Sequence, residues 1–173
     1  RGRLASLEDG SAVVVWQRCA PGAGNELSTC PLVLRAKVFG ADGAVDADLE
    51  PLLVGEDERR NPEIAAIEGG GFAVAYEHRS AATSGWDVRA AVFQPGEDGF
   101  PLTADFAVPE DSAGDQSLPG LVHQDDGLLA VAWRGPAGHV WMRRMLLDGS
   151  PAPVRPERPA NASFNGGMMR VLS

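Results

Sequence analysis

Lysine is all but missing from this 173-residue chain: Lys37 stands alone among 15 basic residues, against 24 acidic ones. The resulting formal charge of −9 argues against a surface for nucleic acid or anionic lipid, since those partners need clustered Lys and Arg to displace counterions from phosphate. Long apolar runs are missing too. No stretch reaches the roughly 18 apolar residues of a membrane-spanning helix, and no apolar segment of the secretory type follows Arg1-Gly2-Arg3. Cysteine is scarce, and with no histidine pair beside them Cys19 and Cys30 do not make a zinc site. The sequence also lacks a Gly-x-Ser-x-Gly elbow, a Walker loop and a His-Glu-x-x-His pair. Composition and motifs therefore point to no particular reaction.

What the chain has in quantity is glycine and proline, 21 and 13 residues, the mark of a turn-rich and therefore β-rich protein. These residues fall in a recurring frame. Pro62 to Tyr76 reads Pro-Glu-Ile-Ala-Ala-Ile-Glu-Gly-Gly-Gly-Phe-Ala-Val-Ala-Tyr, and the same order of small apolar residues, tight turn, apolar run and aromatic returns at Leu4 to Trp16 and at Pro119 to Trp133. A truncated copy runs from Pro159 to Ser173. Asn61-Pro62 lies 57 residues before Leu118-Pro119, Tyr76 lies 57 before Trp133, and Phe39 lies 54 before Phe93.

Each copy predicts a hairpin, with Gly10, Gly70, Gly127 and Gly166 at the reversals, where a tight turn demands positive φ. Ala12 to Trp16, apolar throughout, is predicted to be buried on both faces. A third strand is expected over Leu32–Phe39, a fourth near Leu49 to Val54, and a polar crossing over Glu56 to Asn61. The second unit adds strands at Asp87–Phe93 and Asp105–Val108 and a crossing at Pro109 to Leu118. The third adds Leu121 to Trp133 and His139 to Leu147, before Asn161 to Ser173 restarts the hairpin. A repeat of about 55 residues holding four strands predicts an all-β fold of the β-propeller class. The expected units are 1–61, 62–118, 119–158 and a partial 159–173, all in one domain over 1–173. Three units and a hairpin fall short of a typical ring, so the chain is expected to continue in a longer polypeptide, to assemble with other chains, or to close as a small four-bladed ring, in that order.

Cys19 and Cys30 bracket a ten-residue loop between two predicted strands. A disulfide there would add about 2 to 3 kcal/mol and would place the protein in an oxidising compartment. The alternative is a pair of free thiols in a reducing one.

The unit Asn-Pro-x-Ile-Ala-x-Ile-x-Gly-Gly-Gly-Phe-x-Val-x-Tyr, followed by Val-Arg-Ala-x-Val-Phe and an Asp-Gly turn, resembles tandem repeats of large secreted or surface bacterial proteins. There a Pro-x-Val-Ala-x-Leu-x-Asp-Gly-Gly hairpin ends in Val-x-Trp and a Gly-Asp-Gln linker often follows, as Gly114-Asp115-Gln116 does here. Glu58-Arg59-Arg60 and Arg143-Arg144-Met145 depart from that pattern. The resemblance implies a non-catalytic secreted or cell-surface module for binding or scaffolding, with a protein or glycan ligand. The alternative is the propeller portion of an extracellular hydrolase acting on glycan or peptide, its catalytic groups lying elsewhere.

Candidate chemistry is sparse. Trp141-Met142-Arg143-Arg144 combines aromatic, apolar and guanidinium groups of the kind enriched at interfaces, which makes Trp141, Arg143 and Arg144 the candidate binding residues. The alternative reading turns alternate residues into the core. His78, His123 and His139 occupy different repeat positions with no carboxylate at ligand spacing. The acidic runs Glu56-Asp57-Glu58 and Glu110 to Asp115 are candidates for calcium, although neither has an Asp-x-Asp-x-Asp-Gly spacing. No other cofactor is expected.

Overall fold

Hairpins form where an Asp-Gly or Gly-Gly pair separates apolar runs, and the computed structural model shows which turn results. It describes residues 2–23, 30–50, 52–55, 57–80, 85–97, 99–111 and 113–152, and the backbone of 158–163. Leu7 N–H donates to Ser11 O at 2.8 Å and Gly10 N–H to Leu7 O at 3.2 Å. Gly10, Gly70 and Gly127 have φ of 85°, 79° and 79°. Glu8 and Asp9 are not among the residues with positive φ. The first turn is thus a three-residue loop closed by a left-handed glycine, not the two-residue type I′ turn, which needs positive φ at both centres. Aspartate one place earlier completes it: the carboxylates of Asp9, Asp126 and Asp148 accept from the backbone N–H two residues on. In the second turn Gly69 is left-handed as well, with φ of 83°, and Ile67 N–H donates to Gly71 O at 3.0 Å, so the loop again has three residues. Gly166 lies outside the described residues.

Among the described residues twelve strands result: β1 Gly2–Ser6, β2 Ala12–Cys19, β3 Leu32–Phe39, β4 Val45–Leu49, β5 Glu58–Ala66, β6 Phe72–Arg79, β7 Asp87–Phe93, β8 Leu102–Ala107, β9 Ser117–His123, β10 Leu129–Arg134, β11 His139–Met145 and β12 Arg158–Ser163. They make three four-stranded antiparallel sheets, β1 to β4, β5 to β8 and β9 to β12, each with its strands in chain order. β5 lies beside both β1 and β9, and Arg3 grips Glu63 across the first of these junctions at 2.7 and 2.6 Å.

Several boundaries differ from expectation. Glu58 to Asn61 is the start of β5 and not a crossing, because its charges pair within the ladder: Arg79 holds Glu58 at 2.5 Å and Arg60 holds Glu77 at 2.6 Å. The fourth strand of the first sheet is Val45–Leu49, and the apolar Leu52 and Leu53 are instead buried beyond its end. Arg158–Ser163 pairs with β11 as the fourth strand of the third sheet rather than opening a new hairpin. Residues 164–173 lie outside the described residues.

Apolar residues fill the two spaces between sheets. Val13, Val15, Leu34, Ala36 and Val38 of the first sheet meet Phe72, Val74, Tyr76, Ala91 and Phe93 of the second, with Phe72 and Phe93 stacked at 4.9 Å. The second sheet's other face, with Ala75, Val88 and Ala90, packs on Val131, Trp133 and Met145 of the third. β6 is accordingly buried on both faces. β2 is not: Val13 and Val15 are buried, while Val14 and Trp16 on the opposite face are only partly so, beside Leu4, which is 65% exposed.

Two hydrogen bonds of one kind join the sheets in series. Asn61 and Leu118 occupy corresponding places at bulges in β5 and β9 and hold left-handed φ of 51° and 53°. Such a conformation costs a non-glycine residue on the order of 1 kcal/mol or more. It is held from the preceding sheet: Gln17 Oε1 accepts from Asn61 N–H and Glu77 Oε1 from Leu118 N–H, both at 2.9 Å. Gln17 and Glu77 each follow the aromatic that ends the repeat hairpin. Glu77, 1% exposed, also accepts from Asn61 Nδ2 at 2.9 Å and Arg60 Nε at 2.6 Å, so its buried charge is fully engaged. The third residue of the series is Arg134, exposed and able only to donate.

Candidate functional site

Cys19 and Cys30 are disulfide-bonded, with Cα atoms 5.5 Å apart, where β2 ends and the chain returns to β3. No helix among the described residues is long and apolar enough to cross a membrane.

The candidate residues 141 to 144 do not form one patch. Strand periodicity turns Trp141 and Arg143 toward the second sheet, and Met142 and Arg144 to the opposite face. Arg143 is occupied, donating to Val108 O at 2.7 Å and to Glu110 at 2.8 Å. Arg144 donates to Gln124 at 2.7 Å and pairs with Asp126. Both arginines fasten β11 to neighbouring segments. Trp141 is different. It is partly buried and lines a cavity of about 310 Å³ with Asp111, Ala113, Gln116, Trp133, Pro136 and His139. Gly135 makes room for the indole, since a Cβ there would stand 2.6 Å from Trp141 Nε1.

The cavity lies beside the crossing that enters the third sheet. Gln116 N–H donates to Trp86 O at 2.7 Å and Asp115 accepts from Trp86 N–H at 3.0 Å, so the linker clasps Trp86, over whose ring Arg60 stacks at 3.6 Å. Gln116 is 3% exposed. Its Nε2 donates to Asp111 O at 2.6 Å, while its Oε1 is buried without a partner.

A second cavity, about 470 Å³, gathers the turn ends of β1, β5 and β9: Ser6 to Glu8, Ala66 to Glu68, and His123 to Asp125. Glu8, Glu68 and Asp125 hold corresponding turn positions. Glu8 Oε2 accepts from Gly69 N–H at 3.1 Å, and His123 Nε2 is buried without a partner.

The histidines stay apart. His78 meets Asp57 at 3.1 Å, and His139 stands exposed at the rim of the smaller cavity. Across the ladder from His78, Asp87 has its carboxyl pKa raised by burial. Burial likewise pushes the Tyr76 hydroxyl far above its usual range, and the Asp105 carboxylate it donates to adds to this. Of the acids considered for calcium, Glu56 lies outside the described residues, and the others are engaged in protein contacts: Asp57 with His78, Glu58 with Arg79, Glu110 with Arg143, Asp111 with Ala113 N–H, and Asp115 with Trp86 N–H. Among the described residues no group of three or more His, Cys, Asp or Glu side chains is placed to hold a metal ion.

The chain matches no protein-family model and no curated protein sequence. Gln116 and Trp133 were not singled out from the sequence as binding residues. The available signal was positional: Trp141 stands where the other two repeats carry arginine, which shows only once the strands are in register.

Proposed function

We propose that the chain is a run of β-propeller blades acting as a non-catalytic, extracytoplasmic module for binding or scaffolding. The observation that carries this reading is the repeated bond from Gln17 to Asn61 and from Glu77 to Leu118, which joins sheet to sheet in one fixed relation, as blades in series require. Adjacent first strands support it, as does the aromatic of each unit turning toward the preceding sheet. The faces of the first and third sheets turned away from the second carry apolar residues: Leu4, exposed, with the partly buried Val14 and Trp16 on the first, and the exposed Met142 beside the buried Ala130 and Ala132 on the third. That arrangement suits a ring continued by further blades. The disulfide supports an oxidising compartment.

Purified chain incubated with panels of polysaccharides and peptides should release no new reducing ends and no new amines. Turnover of either panel contradicts the non-catalytic reading.

A further inference from the structure

We propose that the cavity beside Trp141 is a subsite for one neutral hexopyranose unit of a glycan, an assignment that rests on the binding-module reading and names its ligand class. The argument starts from the repeat. The residue paired across the ladder with the hairpin's terminal aromatic is Arg35 opposite Trp16, Arg89 opposite Tyr76, and Trp141 opposite Trp133. Both arginines are held by a carboxylate of their own sheet, Glu50 and Asp105. In the third sheet an indole replaces the ion pair, and the cavity opens there.

The neighbouring linker departs from the repeat in the same place. Gln116 corresponds to Arg59, and each donates to the carbonyl five residues earlier, Gln116 to Asp111 at 2.6 Å and Arg59 to Val54 at 3.0 Å. Arginine can only donate, whereas the amide brings an acceptor, and that acceptor is the one left buried and unpaired. A buried carbonyl without a partner is costly to the fold, and a ligand hydroxyl that reaches it would recover that cost. Two changes from the repeat thus coincide at one cavity, and together they supply an aromatic surface and a free acceptor.

The ligand class follows from that pairing. A pyranose has an apolar C–H face that lies on an indole and an edge of hydroxyls that need acceptors. Trp141 offers the first; Gln116 Oε1, the exposed Asp111 carboxylate and the rim His139 offer the second. A purely apolar ligand would leave Gln116 unpaired, and an anion would face Asp111. A quaternary cation needs several accessible aromatic faces, and Trp133 is only 1% exposed. The volume sits at the small end of the range for ligand pockets, roughly 300 to 1,000 Å³, which suits one ring.

The test uses the intact chain, with methyl glycosides of glucose, galactose, mannose and N-acetylglucosamine as probes, followed by saturation-transfer NMR and calorimetry. At least one glycoside should bind with a Kd of about 1 mM or tighter. Trp141→Arg and Gln116→Arg import residues that other repeats carry at these positions. Each should weaken binding by about tenfold or more. Should either variant unfold, shift mapping on the native chain decides: changes at the Trp141 indole N–H and the Gln116 side-chain amide support the subsite, and changes confined elsewhere overturn it. No binding of any glycoside at about 20 mM, an unchanged Kd in Trp141→Arg, or stronger binding of tetramethylammonium than of every glycoside also overturns it. Cleavage of a bound glycoside would instead uphold the subsite and sink the non-catalytic reading.

Discussion

Glu77→Ala is expected to destabilise the protein by about 3 kcal/mol, the cost of stripping a buried carboxylate from its hydrogen-bond partners. In a chain of this size that lowers Tm by roughly 6 to 12 °C. The carboxylate receives Arg60 Nε, Asn61 Nδ2 and Leu118 N–H at once, so its removal leaves donors without an acceptor in both the second and third sheets. Arg60 is partly exposed and stacked on Trp86, and it can turn to water; the Leu118 amide is fixed at its bulge. Glu77→Gln keeps one acceptor oxygen but turns an amide donor toward Arg60 or Asn61, so its cost should be smaller, about 1 kcal/mol. Urea denaturation of both variants measures this. A loss below about 1 kcal/mol for Glu77→Ala would show that Glu77 does not hold the sheets together.

Trp133→Ala should cost about 3 to 5 kcal/mol, as large aromatic truncations in packed cores do. Its ring is enclosed among Ala75, Val88, Ala90, Val108, Val131 and Met145 between the second and third sheets. Trp16 holds the same repeat position on an outward face and is only partly buried. Trp16→Ala should therefore cost less, about 1 to 2 kcal/mol. Equal losses at the two positions, measured by chemical denaturation, would contradict the assignment of inward and outward faces.

The strands that the sequence made legible are those whose burial is decided by apolar residues. β3 and β7 have the bounds that their apolar runs announce, and Gly10, Gly70 and Gly127 take the expected sign of φ because no other residue adopts it cheaply. The polar strands were hidden. Glu58-Arg59-Arg60 looks like a solvated crossing, yet Arg60 and Glu58 find partners on β6. Val45-Asp46-Ala47-Asp48-Leu49 is an exposed edge strand whose pairing with β3 owes little to burial. The candidate site was legible only in Trp141. Arg143 and Arg144 carry the same interface signature in the sequence, but the chain spends both on internal contacts. The acceptor on Gln116 is visible only where the linker folds back on Asp111.

The account turns on sheets joined in series at Asn61 and Leu118, and hydrogen exchange reads those two amides directly. Both lie at bulges, outside the paired register of their own ladders, and donate to Gln17 and Glu77, so protection at these amides reports those bonds. NMR-detected exchange on the native chain should find both amides protected within about tenfold of Ala65 and Val122, whose N–H groups point into their ladders. Exchange at both amides near the rate of an unstructured peptide, with Ala65 and Val122 still protected, would contradict the account.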